Sequence, residues 1–384
     1  RPDAPCYPPG ICIITLSAFP SGASIKTGRE KQFLFLIFLL QIFSPICIIY
    51  TVYKIIQKYN PESIFCSAIF HELQRRSAMI KHLGLKAYGK INLGLDVLRK
   101  REDGYHEVRM IMQTVGIFDR IDLIRTAEPG IQVETNLYYL PTNENNLVYK
   151  AAKLLMDEFQ ITEGVQIRLR KFIPVAAGMA GGSSDAAAVL FGVNKMFRLG
   201  LNTAQLMERG VKIGADVPYC ILRGTALSEG IGEILTPLPP VPQCQVLIAK
   251  PAISVSTKFV YDNLHANALK PDQHPDIDGI LQAIRDQDIY GIARRLGNVL
   301  GTVTIKEYPI IQQIKDTMLE SGAIGALMSG SGPTVFGLFT NPKAAQTAYE
   351  EMRFGAFSHL AKQVYITNFY NQKELSNHGT ETES

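Results

Sequence analysis

The sequence predicts an α+β protein, and three observations carry that prediction. From 83 to 135 apolar and polar residues alternate in runs separated by turn pairs, the period of half-buried strands. From 145 onward helical and strand-like segments interleave without a strict βαβ period, which fits α+β better than a doubly wound parallel sheet. The proline-rich segment Pro237-Leu238-Pro239-Pro240-Val241-Pro242 is the best place for a domain boundary.

Taken in order, KINLGLDVL, HEVRMIMQTV, RIDLIR and IQVET read as strands, with turn signals at Asp103-Gly104 and Pro129-Gly130. Asn145 or Asn146 can cap a helix through LVYKAAKLLMDEF, whose Leu147, Ala151, Leu154 and Leu155 recur on one face. VQIRLRK alternates cleanly, and IPVAAGMAGGSS links it to a helix expected to begin near Ser183. A further helix follows Asn202-Thr203 and ends near GADVP, where Pro218 predicts a turn. Beyond the prolines come the strand QVLIAK, helical stretches between about 256 and 321, GALMSGSGPTVFGLF, a helix after Asn341 and the strand VYITNF. The last residues, 371–384, have the polar composition of a disordered tail.

The chain has 384 residues, 46% of them hydrophobic, which excludes collagen, a low-complexity polymer and a fully disordered chain. Its 39 Lys+Arg exceed its 35 Asp+Glu only because of the segment before Met79, the first methionine: eight basic and four acidic residues precede it, leaving 31 of each after it. Nothing there suggests a polyanion-binding surface, so no nucleic-acid partner is expected. Four of the six cysteines also precede Met79; Cys220 and Cys244 alone follow it, neither a disulfide framework nor a metal motif, as in a reduced, cytoplasmic protein. The 21 residues 33–53 are apolar enough to be a membrane anchor when taken literally. The chain opens with Arg, however, and Arg75-Arg76 can be encoded as AGGAGG, a bacterial ribosome-binding sequence, two codons before Met79. Residues 1–78 are therefore expected to be translated upstream DNA, and no membrane partner is expected unless that leader is real.

The strongest chemical signal is Pro174, Val175, Ala176, Ala177, Gly178, Met179, Ala180, Gly181, Gly182, Ser183 and Ser184. Its glycines let successive N–H groups close on an anion, a following helix adds its positive dipole end, and the two serine hydroxyls can donate. The spacing is neither a Walker loop nor a Rossmann fingerprint. Alone, it is equally a flexible strand-to-helix connection with a serine cap. Lys90 alone is a solvated strand lysine, Asp216 alone a turn or cap residue, and Tyr105-His106 an ordinary hairpin.

Together and in this order, GKINLGL, REDGYHEV, PVAAGMAGGSSDAAA, GADVPYC, EGIGEIL and SGSGPTVF resemble the GHMP kinase superfamily, over about 86 to 369. Tyr88-Gly89 stands where Pro-Ala often precedes the lysine, and Met179 where Leu is usual. The resemblance implies an ATP-binding N-terminal domain like ribosomal protein S5 domain 2 over 79–240 and a ferredoxin-like C-terminal domain over 241–370, with the active site between them. It implies transfer of the ATP γ-phosphate to a small-molecule alcohol. Through REDGYHEV the resemblance implies the 2-hydroxyl of cytidine diphosphate methylerythritol as acceptor, in isoprenoid precursor synthesis, rather than homoserine or mevalonate. Lys90 and Asp216 match the catalytic pair, and 174–184 the ATP loop. Asn92, Tyr105 and His106 match contacts to the cytidine substrate, Tyr261 the aromatic that stacks on its ring, and Gly330, Ser331 and Gly332 the third glycine motif. Mg²⁺ is expected with ATP, held mainly by phosphates and not by a protein metal site, in a monomer or homodimer.

Overall fold

Two long strands form the spine of the protein. β1 (His82–Lys100) and β2 (His106–Thr126) pair antiparallel across the Asp103-Gly104 turn, where Gly104 takes a positive φ of 86°. The other edge of β2 carries two partners in tandem. β3 (Gly130–Thr135) lies parallel to β4 (Gly164–Arg170), which pairs with β2 along 120–126, while β5 (Thr225–Glu229) pairs along 110–113 and leads into β6 (Ile234–Pro237). In the computed structural model, which describes residues 80–371, the proline-rich segment then leads to a second sheet. That sheet has the order β11 (Gln363–Asn368), β7 (Gln245–Lys250), β10 (Val335–Phe339), β9 (Gly325–Met328), whereas the two-residue β8 (Gly297–Asn298) returns to pair with β1. The expected leader 1–78, its apolar run 33–53 and the tail from 372 lie outside the described residues.

The helices begin where short polar side chains can cap them. Asn146 accepts from Val148 N–H at 3.1 Å to start α1 (Leu147–Glu158), which buries Val148, Ala151, Ala152, Leu155 and Met156; Leu147 and Leu154 are only half-buried at its flank. α2 (Gly181–Phe197) packs against α1 and the first sheet, and begins two residues before Ser183. Asn202 and Gln205 form a reciprocal capping box on α3 (Thr203–Val211). Pro218, expected to make a turn, instead occupies the first turn of α4 (Val217–Leu222), where a missing N–H costs nothing. The second half adds α5 (Thr257–Asn263), α6 (Ile277–Arg285), α7 (Ile289–Arg294), α8 (Gly301–Glu307), α9 (Ile310–Glu320) and α10 (Pro342–Arg353), the last capped by Asn341. Among the described residues no helix is long and apolar enough to cross a membrane.

HEVRMIMQTV and RIDLIR are one strand, and the reason they read as two is a change of face. The β1–β2 register slips between Tyr88 and Lys90, Asn92 and Gly94, and Val97 and Arg99. A slip of one residue exchanges the two faces of a strand. Ile91 and Leu93 therefore pack with Ile111, Val246, Ile248 and Phe336 between the two sheets, while Leu95 and Val97 join the core under α1 and α2. Lys90 shares the side of Leu95, and both line the same cavity. The irregularity that follows Tyr88 also frees the Lys90 N–H to bond to the Met179 carbonyl at 3.1 Å, which docks the glycine-rich loop onto β1.

Candidate active site

The loop between β4 and α2 takes left-handed backbone at every second residue: Ala176 (φ 50°), Gly178 (φ 72°) and Ala180 (φ 53°). That alternation turns neighbouring N–H groups toward one concave side. Two of the three positions are alanines, each strained by roughly 1–2 kcal/mol, so the surrounding packing holds a conformation the side chains oppose. Gly178 is glycine for contact as well as φ, since a β-carbon there would sit 2.1 Å from the Ser329 carbonyl oxygen. Ala180 gives α2 no side-chain cap, which leaves the first N–H groups of a 17-residue helix for an anion. Gly181, Gly182 and Ser183 face a cavity of about 830 Å³. Ser184 does not: its hydroxyl donates to the Tyr88 carbonyl at 2.6 Å, and Met179 is buried in the core between the sheets.

Beneath this loop lies a buried ion triad. The Lys171 ammonium donates to Asp185 Oδ2 at 2.6 Å and to Asp119 Oδ2, and all three side chains are at most 4% exposed. Asp119 Oδ1 also accepts from the N–H groups of Phe172 (2.5 Å) and Ile173 (2.8 Å). Burial opposes the charge on Lys171, but the two carboxylates outweigh it and hold the amine charged above its usual range. Burial raises the Asp185 carboxyl well above the usual carboxylate range against the pull of Lys171, and Asp119 adds to the rise. Asp185 is thus an internal ionisable group, with Oδ1 unpartnered among the described residues.

Lys90 and Asp216 line the same cavity as the loop. The buried Lys90 ammonium donates to Asn92 Oδ1 at 2.7 Å, and Asn92 Nδ2 contacts Met110 Sδ at 3.3 Å. Asn92, the position matched to a substrate contact, is fully buried with its side-chain oxygen on the Lys90 ammonium. Asp216 stands before α4 without capping it, so its carboxylate remains available to the cavity. No ion pair joins it to Lys90 among the described residues; both charges act on the buried Cys220 thiol, which burial pushes up, Asp216 raises further and Lys90 draws down. Cys244, also free and buried, is pushed up to about 12, so neither thiol is ionised near neutral pH.

The far end of the cavity is aromatic. The His106 and Tyr261 rings lie 5.0 Å apart at 42°, with the more exposed Tyr105 beside them. Burial lowers the His106 pKa, Lys100 adds to this and Asp262 opposes it, so the ring is neutral at pH 7. Its Nε2 is buried without a hydrogen-bond partner among the described residues. Burial, with a smaller push from Asp216, holds the Tyr261 phenol protonated. From the second sheet, Gly330 and Ser331 close the wall, and Ser329 Oγ donates to the Gly178 carbonyl at 2.9 Å; Gly332 is set behind them. Leu140, Pro141, Lys258 and Asp262 also line the cavity, and nothing in their local sequence marks them.

The GHMP kinases N terminal domain model matches residues 146–224 and the GHMP kinases C terminal model residues 274–356. The 4-diphosphocytidyl-2-C-methyl-D-erythritol kinase of Lachnoclostridium phytofermentans is 57% identical over 293 residues, 76% of this chain and 99% of that protein. The chain belongs to the GHMP kinase family. A solved 4-(cytidine 5'-diphospho)-2C-methyl-D-erythritol kinase matches this GHMP kinase with a TM-score of 0.63 at 30% identity, over 76% of this chain and 100% of that one. The homoserine kinase of Cytophaga hutchinsonii also gives 0.63, at 20% identity over 76% and 95% of the two chains, a likeness of fold alone. The two-domain α+β GHMP kinase fold predicted from sequence is the fold observed.

Proposed function

We propose that this GHMP kinase transfers the γ-phosphate of ATP to the 2-hydroxyl of 4-diphosphocytidyl-2-C-methyl-D-erythritol, in isoprenoid precursor synthesis in the cytoplasm. One observation carries the reading: a single cavity holds an anion-binding helix start, an uncapped aspartate, a buried lysine and, at its far end, paired aromatic rings with an unpartnered ring nitrogen. The N–H groups of the loop and of the start of α2 take the ATP phosphates. Asp216 accepts the hydroxyl proton as the substrate oxygen bonds to the γ-phosphorus; the bond from that phosphorus to the β-γ bridging oxygen breaks, and ADP leaves. Lys90, aimed by Asn92, stabilises negative charge on the transferring group. Tyr261 and His106 supply a flat surface and a hydrogen-bonding edge for the cytosine.

Mg²⁺ neutralises ATP oxygens when bound. Mg²⁺ dehydrates reluctantly and usually binds through substrate phosphates, so we read it as held largely by phosphates and water. We read the two sheets as the cores of an ATP-binding domain over 79–240 and a C-terminal domain over 241–370. The test is phosphorus NMR of the purified protein with ATP, Mg²⁺ and the cytidine substrate, with homoserine and mevalonate as parallel acceptors. A 2-phosphate product from the cytidine substrate alone is expected; turnover confined to either other alcohol would transfer the assignment to it.

A further inference from the structure

The phosphate loop leaves β4 after Arg170 and ends in the first turn of α2, and the buried triad touches both ends. At the entrance, Asp119 Oδ1 takes the N–H groups of Phe172 and Ile173, and the Asn136 side chain bonds both the N–H (2.8 Å) and the carbonyl (3.3 Å) of Lys171. At the exit, Asp185 projects from α2 to the same ammonium. The contact between the two ends is close: a β-carbon on Gly181 would lie 3.1 Å from Lys171 Nζ. We propose that Asp185, acting through Lys171, is a positioning residue that fastens the exit of the phosphate loop to its entrance and so sets the N–H groups that receive ATP.

Two observations separate this from a merely structural ion pair. Lys171 and Asp185 both line the cavity, so the fastening lies in its wall. Asp185 places Oδ2 on Lys171 and leaves Oδ1 buried without a hydrogen-bond partner among the described residues, so the hydrogen bond of its Oδ2 is the one that reaches the loop entrance. The loop it restrains contains two left-handed alanines, a conformation that needs its ends fixed.

This rests on the reading of 174–184 as the ATP loop, and the test separates the two. Steady-state kinetics of the purified full chain are measured with ATP varied at saturating cytidine substrate, and the reverse, for wild type, Asp185→Ala and Asp185→Asn, alongside thermal melts. Asp185→Ala cuts the exit link but leaves the Lys171–Asp119 pair and the two N–H bonds of Asp119 in place, so the chain retains its entrance anchor. Its KM for ATP should rise about tenfold, the scale of a small misplacement of binding groups, with KM for the alcohol within about twofold. Asp185→Asn keeps an oxygen for Lys171 and should recover KM for ATP to within about threefold of wild type. An unchanged KM for ATP in Asp185→Ala, equal rises for both substrates, or an Asn variant as impaired as the Ala variant overturns the fastening role. A wild-type protein whose turnover shows no saturable dependence on ATP defeats the underlying reading before any variant is compared.

Discussion

At the scale of single residues, the proposed mechanism separates groups that react from groups that hold them. Asp216 makes no capping bond, so exchanging its carboxylate for an amide removes a proton acceptor without removing a structural contact. Asp216→Asn should lower kcat by roughly 10²- to 10⁴-fold, the usual worth of a general base, with ATP affinity nearly unchanged. A variant turning over at the normal rate would remove Asp216 from the chemistry. Lys171 is the opposite case. Lys171→Met leaves two carboxylates buried without their cation and should cost about 3–5 kcal/mol in urea unfolding at neutral pH. The sign of its pH dependence follows from Asp185, whose folded pKa is already raised by burial against the pull of Lys171. Without that pull the folded state binds the proton more readily than the unfolded chain, so the deficit should shrink as the pH falls from 8 toward 5. In wild type the Lys171 contribution is complete below its ordinary 10.5 and is lost only as the pH rises through its higher folded value. A deficit that is constant over pH 5–8 would mean that Asp185 is not the group strained. This triad is half-legible in the sequence: a charged residue inside SSDAAAVL demands a buried partner, but only the fold brings Lys171 and Asp119 to it.

At the scale of elements, what the sequence reveals depends on how local the cause is. The starts of α1, α3 and α10 are set by residues within one turn: the chain alone offers Asn145 or Asn146 for the first and places the others after Asn202-Thr203 and Asn341, and the caps are Asn146, Asn202 and Asn341. The start of α2 is misread because its first residue follows a left-handed alanine held by tertiary contacts, not a serine cap. The switches of face in β1 and β2 are hidden for a similar reason, since register belongs to a pair of strands. The glycine loops show the same non-local cause. Gly178 and Gly330 pack backbone to backbone, and a β-carbon on Gly330 would lie 3.0 Å from the Gly178 carbonyl. Gly178→Ala therefore meets both a positive φ, costing roughly 1–2 kcal/mol, and a carbonyl oxygen that cannot move without the second loop. The variant should melt several degrees lower and show a raised KM for ATP, read by thermal unfolding and ATP titration. An unchanged melt with an unchanged KM would mean that the two loops are not interlocked.

At the scale of the molecule, the two sheets share a core and are expected to unfold together. Ile91, Leu93 and Ile111 of the first pack with Val246, Ile248, Phe336 and Leu338 of the second, a hydrophobic seam in place of the polar surface expected between loosely joined domains. Backbone bonds cross at its edge, where Val115 bridges Phe369 and Tyr370 N–H donates to the Thr114 carbonyl at 2.9 Å. The proline-rich segment marks the change of sheet, yet Val241 within it is buried in the shared core. Asn298 is a polar stitch between the sheets. Its backbone pairs with Leu95 of β1, and its side-chain amide donates to the carbonyls of Met328 and Gly330 at 2.8 Å each while accepting from Leu300 N–H at 3.0 Å. Asn298→Ala should cost about 2–4 kcal/mol, the sum of a few net hydrogen bonds and the carbonyls left unpaired. Because the seam remains, unfolding in urea should stay a single transition with an unchanged slope and a lower midpoint. A biphasic curve would show instead that Asn298, and not the apolar seam, couples the sheets, and the cleft would then open by hinge motion where the seam predicts a fixed wall.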